Sequence, residues 1–373
     1  TNRDAEIHRL LEKAGVAFEM YKDQVIFAKD EIVKKDGTPY KVYTPYYKNG
    51  CLGAPTPRKP IPALKKIPFA QVNALINECS LDELNLEPLV RWDLGIRKAW
   101  QAGERVADSR LESFIENDLH RYKTGRDFPA LSCTSLLSPH LHFGEISPHQ
   151  VWHRIKQEEV RFGSDDLTQY LREIAWREFS YYLLYHWPHI PEKPFNPKYA
   201  AFSWRLDQHG LTQWQKGKTG FPIIDAGMRE LWQTGYMHNR VRMIVASFLV
   251  KNQLINWRDG AAWFWDCLVD ADLASNSASW QWTAGCGADA APYFRIFNPV
   301  LQSKKFDPEG NYIKQYCPEL TGLSGKNLHQ PWEAKSNMLE AAGIELGVHY
   351  PKPILDLKVT RQRALDVDRS LVV

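Results

Sequence analysis

Apolar residues recur at helical spacing through most of the chain, and the places where they do not mark its boundaries. Over residues 4–14, Ile7, Leu10, Leu11 and Ala14 fall on one helical face, and Gly15 follows as a stop. The segments VAFEMY (16–21) and QVIFAK (24–29) are short and rich in β-formers, which predicts two strands. After about residue 105 the helical pattern dominates nearly to residue 290. In NRVRMIVASFLVKNQLI, Val241, Ile244, Val245, Phe248 and Leu249 share a face, and 167–186, 222–235, 257–270 and 272–283 behave similarly. Ser138-Pro139 and Ser147-Pro148 each read as an N-cap residue followed by proline at the first helical position. The fold class expected is predominantly α.

Prolines at 55, 57, 60, 62, 68 and 88 make the intervening stretch a connector crossing a surface, with Phe69–Ile76 as its helical candidate. One helix and two strands cannot cover both faces of a sheet, so the N-terminal piece reads as a fragment of an α/β domain. The expected division is therefore 1–49 for that remnant, 50–104 for the linker, 105–345 for the helical body and 346–373 for a polar C-terminal tail. Neither an internal repeat nor a low-complexity tract interrupts it.

Composition narrows the function classes. The chain has 373 residues and a net charge of +3, too small to announce nucleic acid by itself. Arg58, Lys59, Lys65 and Lys66 read as a solvated linker face. No run of eighteen apolar residues is present, and the first residues lack the pattern of a signal peptide, so no membrane is expected and a cytoplasmic place is. Six scattered cysteines without a C-x-x-C pair argue against a zinc or iron–sulfur site, and no metal is expected. Fourteen tryptophans, all after residue 90, exceed what core filling requires.

Four segments carry a resemblance: TSLLSPHLHFGEIS (134–147), WREF (176–179), KTGFPIIDAGMRELWQTGYMHNRVRM (218–243) and DADLASNSASWQW (270–282), with APYFRIFNP (291–299) following. Together they resemble the photolyase/cryptochrome family over roughly residues 90–335. The nearest likeness is to class I cyclobutane pyrimidine dimer (deoxyribodipyrimidine) photolyases. The resemblance implies the helical FAD-binding domain of that fold, preceded by a truncated Rossmann-like antenna domain. It also implies FAD, active in its reduced form, with an antenna chromophore possible.

The resemblance assigns residues as follows. Tyr122, Arg126, Thr134, Ser135, Leu136, Leu137 and Ser138 would grip the FAD phosphates and ribitol, where hydroxyls and a helix start suit an anion. Alone, T-S-x-x-S-P is an ordinary helix cap, and Leu136 stands where many relatives have arginine. Asp272, Asn276 and Trp280 are spaced i, i+4, i+8 and project as one stripe; a plain cap at Asp272 with Trp280 in the core would give the same spacing. In the family Asn276 sits at the flavin N5, with Asp270 and Asp272 near the ring's polar edge and Arg242 as their ionic partner. Trp280, Trp257 and Trp204 match a chain of tryptophans from flavin to surface; the alternative is that Trp204 and Trp257 are partly exposed packing residues. Glu173 would hydrogen-bond the dimer's base edge, between walls formed by Trp176 and Trp282. Asn239, Arg240 and Met243 would line the same cavity, and Arg240 and Arg295 would approach DNA phosphates.

The activity so implied is blue-light-driven repair of cyclobutane pyrimidine dimers in DNA, an electron passing from excited reduced FAD to the flipped-out dimer and back. Such an enzyme is a carbon–carbon lyase, and a monomer is expected, cytoplasmic and nucleoid-associated in a bacterium. The alternative is a cryptochrome-like blue-light signalling flavoprotein without repair. Plant-type cryptochromes usually carry aspartate at the N5 position and tyrosine where Trp282 stands, so Asn276 and Trp282 side with repair. His238, the single histidine of MHNRVRM, reads as a structural hydrogen-bonding residue, unlike the pocket histidines of (6-4) photolyases.

Overall fold

The computed structural model describes residues 2–19, 24–62, 64, 66, 82–162, 165–293 and 295–371. The first expected helix is present as α1 (Asn2–Lys13), and Gly15 ends it in the left-handed region at φ 71°. The helix expected at 69–76 lies outside the described residues.

The helical body is built on two packed groups around a long column. α2 (Glu104–Asn117), α3 (Ser138–Phe143) and α4 (Pro148–Gln157) bury Leu111, Phe114, Leu141, Val151 and Ile155 with the first half of α5 (Asp165–His186). The second half of α5 turns Phe179, Tyr182 and Leu183 into another core with Tyr43 and Tyr46. α6 (Pro222–Thr234), α7 (Asn239–Ser247), α8 (Trp257–Cys267) and α9 (Leu273–Ala284) share the largest core, with Ile224, Met228, Val241, Val245, Phe264 and Trp280. α7 does not stop at Ser247 but runs into a π-helical turn, Phe248–Asn252.

Three expectations are corrected. First, residues 16–19 and 24–29 form no strand, and residues 20–21 lie outside the described residues. The alternation read as a strand is an alternation of burial: Val25 and Phe27 point inward while their neighbour Ile26 is half-buried. Strand amides need a ladder. Here Glu178 of α5 takes its place, accepting from Ile26 N at 2.7 Å and Phe27 N at 3.3 Å. Arg177 adds a bond to the Gln24 carbonyl at 2.6 Å.

Second, the two Ser-Pro starts differ. Ser147 caps α4 through a full capping box with Gln150. Ser138 makes no side-chain cap, because α3 begins on Ser138 itself after Leu136 turns into the left-handed region at φ 52°. Third, the stretch after residue 345 is polar but packed. Tyr350 is buried and donates to Asp225 at 2.6 Å. α10 (Leu357–Ser370) buries Ala364, and its Thr360 and Arg363 bond the side chain and carbonyl of Asn252.

α8 and α9 meet at a point where only glycine fits. A Cβ on Gly260 would lie 2.1 Å from Cη2 of Trp280, 2.4 Å from its Cζ3 and 2.7 Å from Cδ2 of Leu249. The Trp280 indole therefore rests on the bare backbone of α8.

Two outcomes follow from this packing. Gly260→Ala forces the indole out and costs about 1–3 kcal/mol in urea unfolding; unchanged stability contradicts the packing described. Burial pushes the Glu178 carboxyl from 4.5 up to about 7, against the pull of Arg177 and the two amides. A raised folded value gives stability that is whole below pH 4.5 and is lost as pH rises through about 7. Between about pH 5 and 8 the unsubstituted chain should lose on the order of 1–3 kcal/mol relative to Glu178→Gln; parallel curves for the two chains contradict this.

Candidate functional site

The stripe on α9 divides its labour among three neighbouring helices. Asp272 is the N-cap of α9, accepting from Ser275 N at 2.7 Å. It also accepts from the Tyr181 hydroxyl of α5 at 2.6 Å and lies 3.9 Å from His142 Nδ1 of α3. The capping alternative for Asp272 is thus correct, and the same carboxylate also ties α5 to α9. Asn276 donates its amide nitrogen to the Ala261 carbonyl of α8 at 2.9 Å. That bond commits the nitrogen and not the carbonyl oxygen. Trp280 is buried, edge-on to Phe264 at 5.0 Å and to Trp214 at 6.2 Å.

The expected ionic pairing holds for one aspartate only. Arg242 donates to both oxygens of Asp270, at 3.1 and 2.9 Å, and through Nε to the Met237 carbonyl at 2.6 Å. Asp272 is not its partner, since the cap and Tyr181 already engage it. Trp257 is buried in the largest core, and half-buried Trp204 packs against that core, 4.3 Å from Phe202. The reading of a partly exposed packing residue therefore survives for Trp204 and fails for Trp257.

The loop 134–138 faces α5. Ser135 Oγ accepts from the Tyr170 hydroxyl at 2.9 Å, Thr134 lies beside the Tyr236 hydroxyl, and Leu137 is buried. Tyr122 is buried at the edge of Phe114 and Tyr170. Arg126, expected with these residues, instead pairs with Glu173, whose Oε1 also accepts from Gln169 at 2.8 Å. The guanidinium is drawn to the nearer carboxylate, and Glu173 is left with Oε2 uncommitted by either bond.

The residues expected around the dimer come together in part. Asn239 and Arg240 approach the Met243 sulfur at 4.0 and 3.8 Å. Arg240 is not a free cation: it pairs with Asp127 at 2.7 Å and lies 4.4 Å over the Phe306 ring. Its neighbour His238 is buried, caps α7 by accepting from Arg240 N at 3.2 Å, and is pushed by burial down to about 4. It is neutral at pH 7, which suits a structural role. Trp176 is half-buried with Tyr43 stacked on one face at 3.6 Å, and Trp282 is half-buried on α9. Arg295 remains exposed.

Few of these partners are signalled by the local sequence. Gln169 and Glu173 stand i, i+4 on α5, a spacing that could have been read. Tyr43, Asp127, Tyr181 and Gly260 act across long sequence separations and leave no local signal.

The residues fit a phosphate-bearing, amide-bearing cofactor. His142 Nδ1 and Arg177 Nη2 are buried without a hydrogen-bond partner among the described residues. Arg177 lies 4.7 Å over the Tyr181 ring, whose hydroxyl meets the same Asp272 that His142 approaches. Buried donors of this kind call for acceptor oxygens that the chain does not supply.

Comparison with known proteins agrees with this geometry. Residues 170–369 match the family described as the FAD binding domain of DNA photolyase, and residues 1–65 match that described as DNA photolyase. A deoxyribodipyrimidine photo-lyase of Agrobacterium fabrum is 46% identical, covering 97% of this chain and 75% of its own length. Cryptochrome-2 of Arabidopsis thaliana is 37% identical over 96% of this chain and 60% of its length. The crystal structure of a bacterial class III photolyase from Agrobacterium tumefaciens superposes with a TM-score of 0.95 at 45% identity, covering 99% of this chain and 76% of that one. The likeness is therefore to a class III enzyme where class I was expected. With its helical fold, the α9 stripe and these matches in agreement, the chain belongs to the photolyase/cryptochrome family.

Proposed function

We propose that this chain is a deoxyribodipyrimidine photo-lyase that repairs cyclobutane pyrimidine dimers in DNA under blue light, with FAD as cofactor, and that it falls in class III. The observation that carries this reading is the arrangement on α9. One helix presents Asn276 with its carbonyl oxygen uncommitted, Trp280 behind it in the core, and Trp282 two residues on, on the opposite side of the helix at half-burial. Cofactor side and substrate side are thus set by a single rigid element.

When bound, FAD would supply light-driven one-electron chemistry with no net redox change. Around it, Asn276 would offer an acceptor to the flavin edge, and the Arg242–Asp270 pair would present a fixed charge distribution. The loop Thr134–Ser138 with Tyr122 and Leu137 would hold the chain of the cofactor, and Arg177 and His142 would offer it their unpaired nitrogens. Trp257 and Trp204 extend from Trp280 toward the surface as the residues of electron entry.

On the substrate side Glu173 uses Oε2 to accept a hydrogen bond from the N–H of a flipped base. The Arg126 and Gln169 bonds to Oε1 keep it aimed. Trp176 and Trp282 give apolar walls that exclude water from the ring, and Asn239 and Met243 complete the lining. Arg240 acts through its Asp127 pair in positioning, which leaves Arg295 as the phosphate contact. A damaged dimer stacks and pairs poorly, so flipping it costs less than flipping a normal base. Among the described residues no helix is long and apolar enough to cross a membrane.

The test is a repair assay on an oligonucleotide carrying one T–T dimer, following the return of thymine absorbance. Glu173→Ala should lower the repair rate about 10-fold or more by removing a charged hydrogen bond worth about 1.5–3 kcal/mol. Trp282→Ala should weaken dimer binding by about 1–3 kcal/mol through lost stacking. FAD retained in both variants with repair equal to that of the unsubstituted chain would sink this assignment of the pocket, and a cryptochrome-like signalling role would replace the enzyme if the unsubstituted chain also failed.

A further inference from the structure

Lys251 is a buried lysine that belongs to neither the proposed cofactor site nor the dimer pocket. It sits in the π-helical turn that continues α7, with 1% of its surface exposed. Its ammonium donates to the main-chain carbonyl of Arg295 at 2.9 Å and lies 5.3 Å over the Tyr293 ring. Asp368 of α10 and the Arg295 guanidinium are the charged groups that act on it. Burying a lysine is costly, and a carbonyl is a modest reward unless that carbonyl must be held.

What it holds is the loop between the dimer wall and the phosphate contact. Residues 285–293 and 295–298 follow α9, which ends just after Trp282, and Ala291 N is bonded back to the Trp282 carbonyl at 3.2 Å. Arg295 N closes a turn on the Pro292 carbonyl at 2.9 Å. One turn before Lys251, Ser247 Oγ accepts from Phe297 N at 3.2 Å. Two buried groups of one helix thus grip the backbone on either side of Ile296. The same helix carries Asn239, Arg240 and Met243 at its other end. Asn252, next to Lys251, is braced by Thr360 and Arg363 of α10. π-Helical turns inside α-helices recur at functional sites; here the turn carries Lys251 to the loop.

We propose that Lys251, seconded by Ser247, is a positioning residue for DNA binding: it fixes the Arg295 backbone so that the exposed guanidinium meets a phosphate in register with the dimer pocket. The proposal rests on the reading of Arg295 as a phosphate contact. Lys251 itself touches neither DNA nor cofactor, and it acts only through the loop it clamps.

The experiment measures binding of the FAD-loaded full chain, in the dark, to a duplex carrying one T–T dimer over a range of salt concentrations. Arg295→Ala should reduce the slope of log K against log salt by about 1 and weaken binding roughly 10-fold at moderate salt. Lys251→Met, which keeps the length and loses the donor, should reproduce the lower slope with about 5-fold weaker binding, and the double variant should bind no worse than Arg295→Ala alone. In repair assays the loss should fall on KM and not on kcat. Ser247→Ala removes the second bond by a smaller change and should shift the slope in the same direction, which keeps the test open if Lys251→Met does not fold. A merely structural lysine would lower the melting temperature and leave the slope untouched. A wild-type slope in both Lys251→Met and Ser247→Ala, or additive losses in the double variant, overturns the proposal. If Arg295→Ala itself leaves the slope unchanged, the phosphate reading fails and the clamp falls with it; a reduced slope there, with none in Lys251→Met, removes the clamp alone.

Discussion

Arg242 and Asp270 form an ion pair on which the geometry of the helical body depends. The carboxylate is buried and receives two bonds from a guanidinium that also donates to the Met237 carbonyl. α7 is thereby fixed to the start of α9, two residues before the cap at Asp272. A pair of this kind is weak evidence for stability, since desolvation opposes the Coulomb attraction. Its consequence is geometric. With α7 and α9 locked, Asn239 and Met243 on one helix and Asn276, Trp280 and Trp282 on the other share one frame.

The column α5 supplies the second constraint, and polar groups on it are what join it to its surroundings. Glu173 meets Arg126, Tyr181 meets Asp272, and Glu178 takes the amides of Ile26 and Phe27. Each contact crosses more than forty residues of sequence. Tyr170 adds a fourth, to Ser135 in the loop with the left-handed Leu136. The site is thus held by polar side chains spaced along α5, while its apolar residues fill two separate cores.

How far the sequence could be read follows from how local each signal is. α5 to α9 were legible because apolar spacing is written within a few residues, and α4 because its Ser-Pro start is. The Arg242–Asp270 partnership was legible only through family likeness, and that likeness wrongly extended it to Asp272. VAFEMY and QVIFAK misled because β-forming residues with alternating burial look like strands even where a carboxylate replaces the ladder. The Ser138 cap misled because a left-handed leucine two residues earlier changes where the helix begins, and no local pattern announces that. Arg126 and Arg240 were drawn toward phosphates, yet Glu173 and Asp127 already hold them. Gly260 and Lys251 show the same limit: each matters for one contact made by a residue distant in sequence.

The claim that the α7–α9 frame carries the cofactor is tested most directly by Asp270→Asn, measuring bound FAD per chain beside far-UV circular dichroism. Breaking the pair should cost stability at the low end of about 3–5 kcal/mol, because a quarter of the Arg242 side chain stays exposed. The Asp270→Asn chain should keep its helical signal and retain much less FAD than the unsubstituted protein. Full FAD content with unchanged thermal unfolding would contradict it.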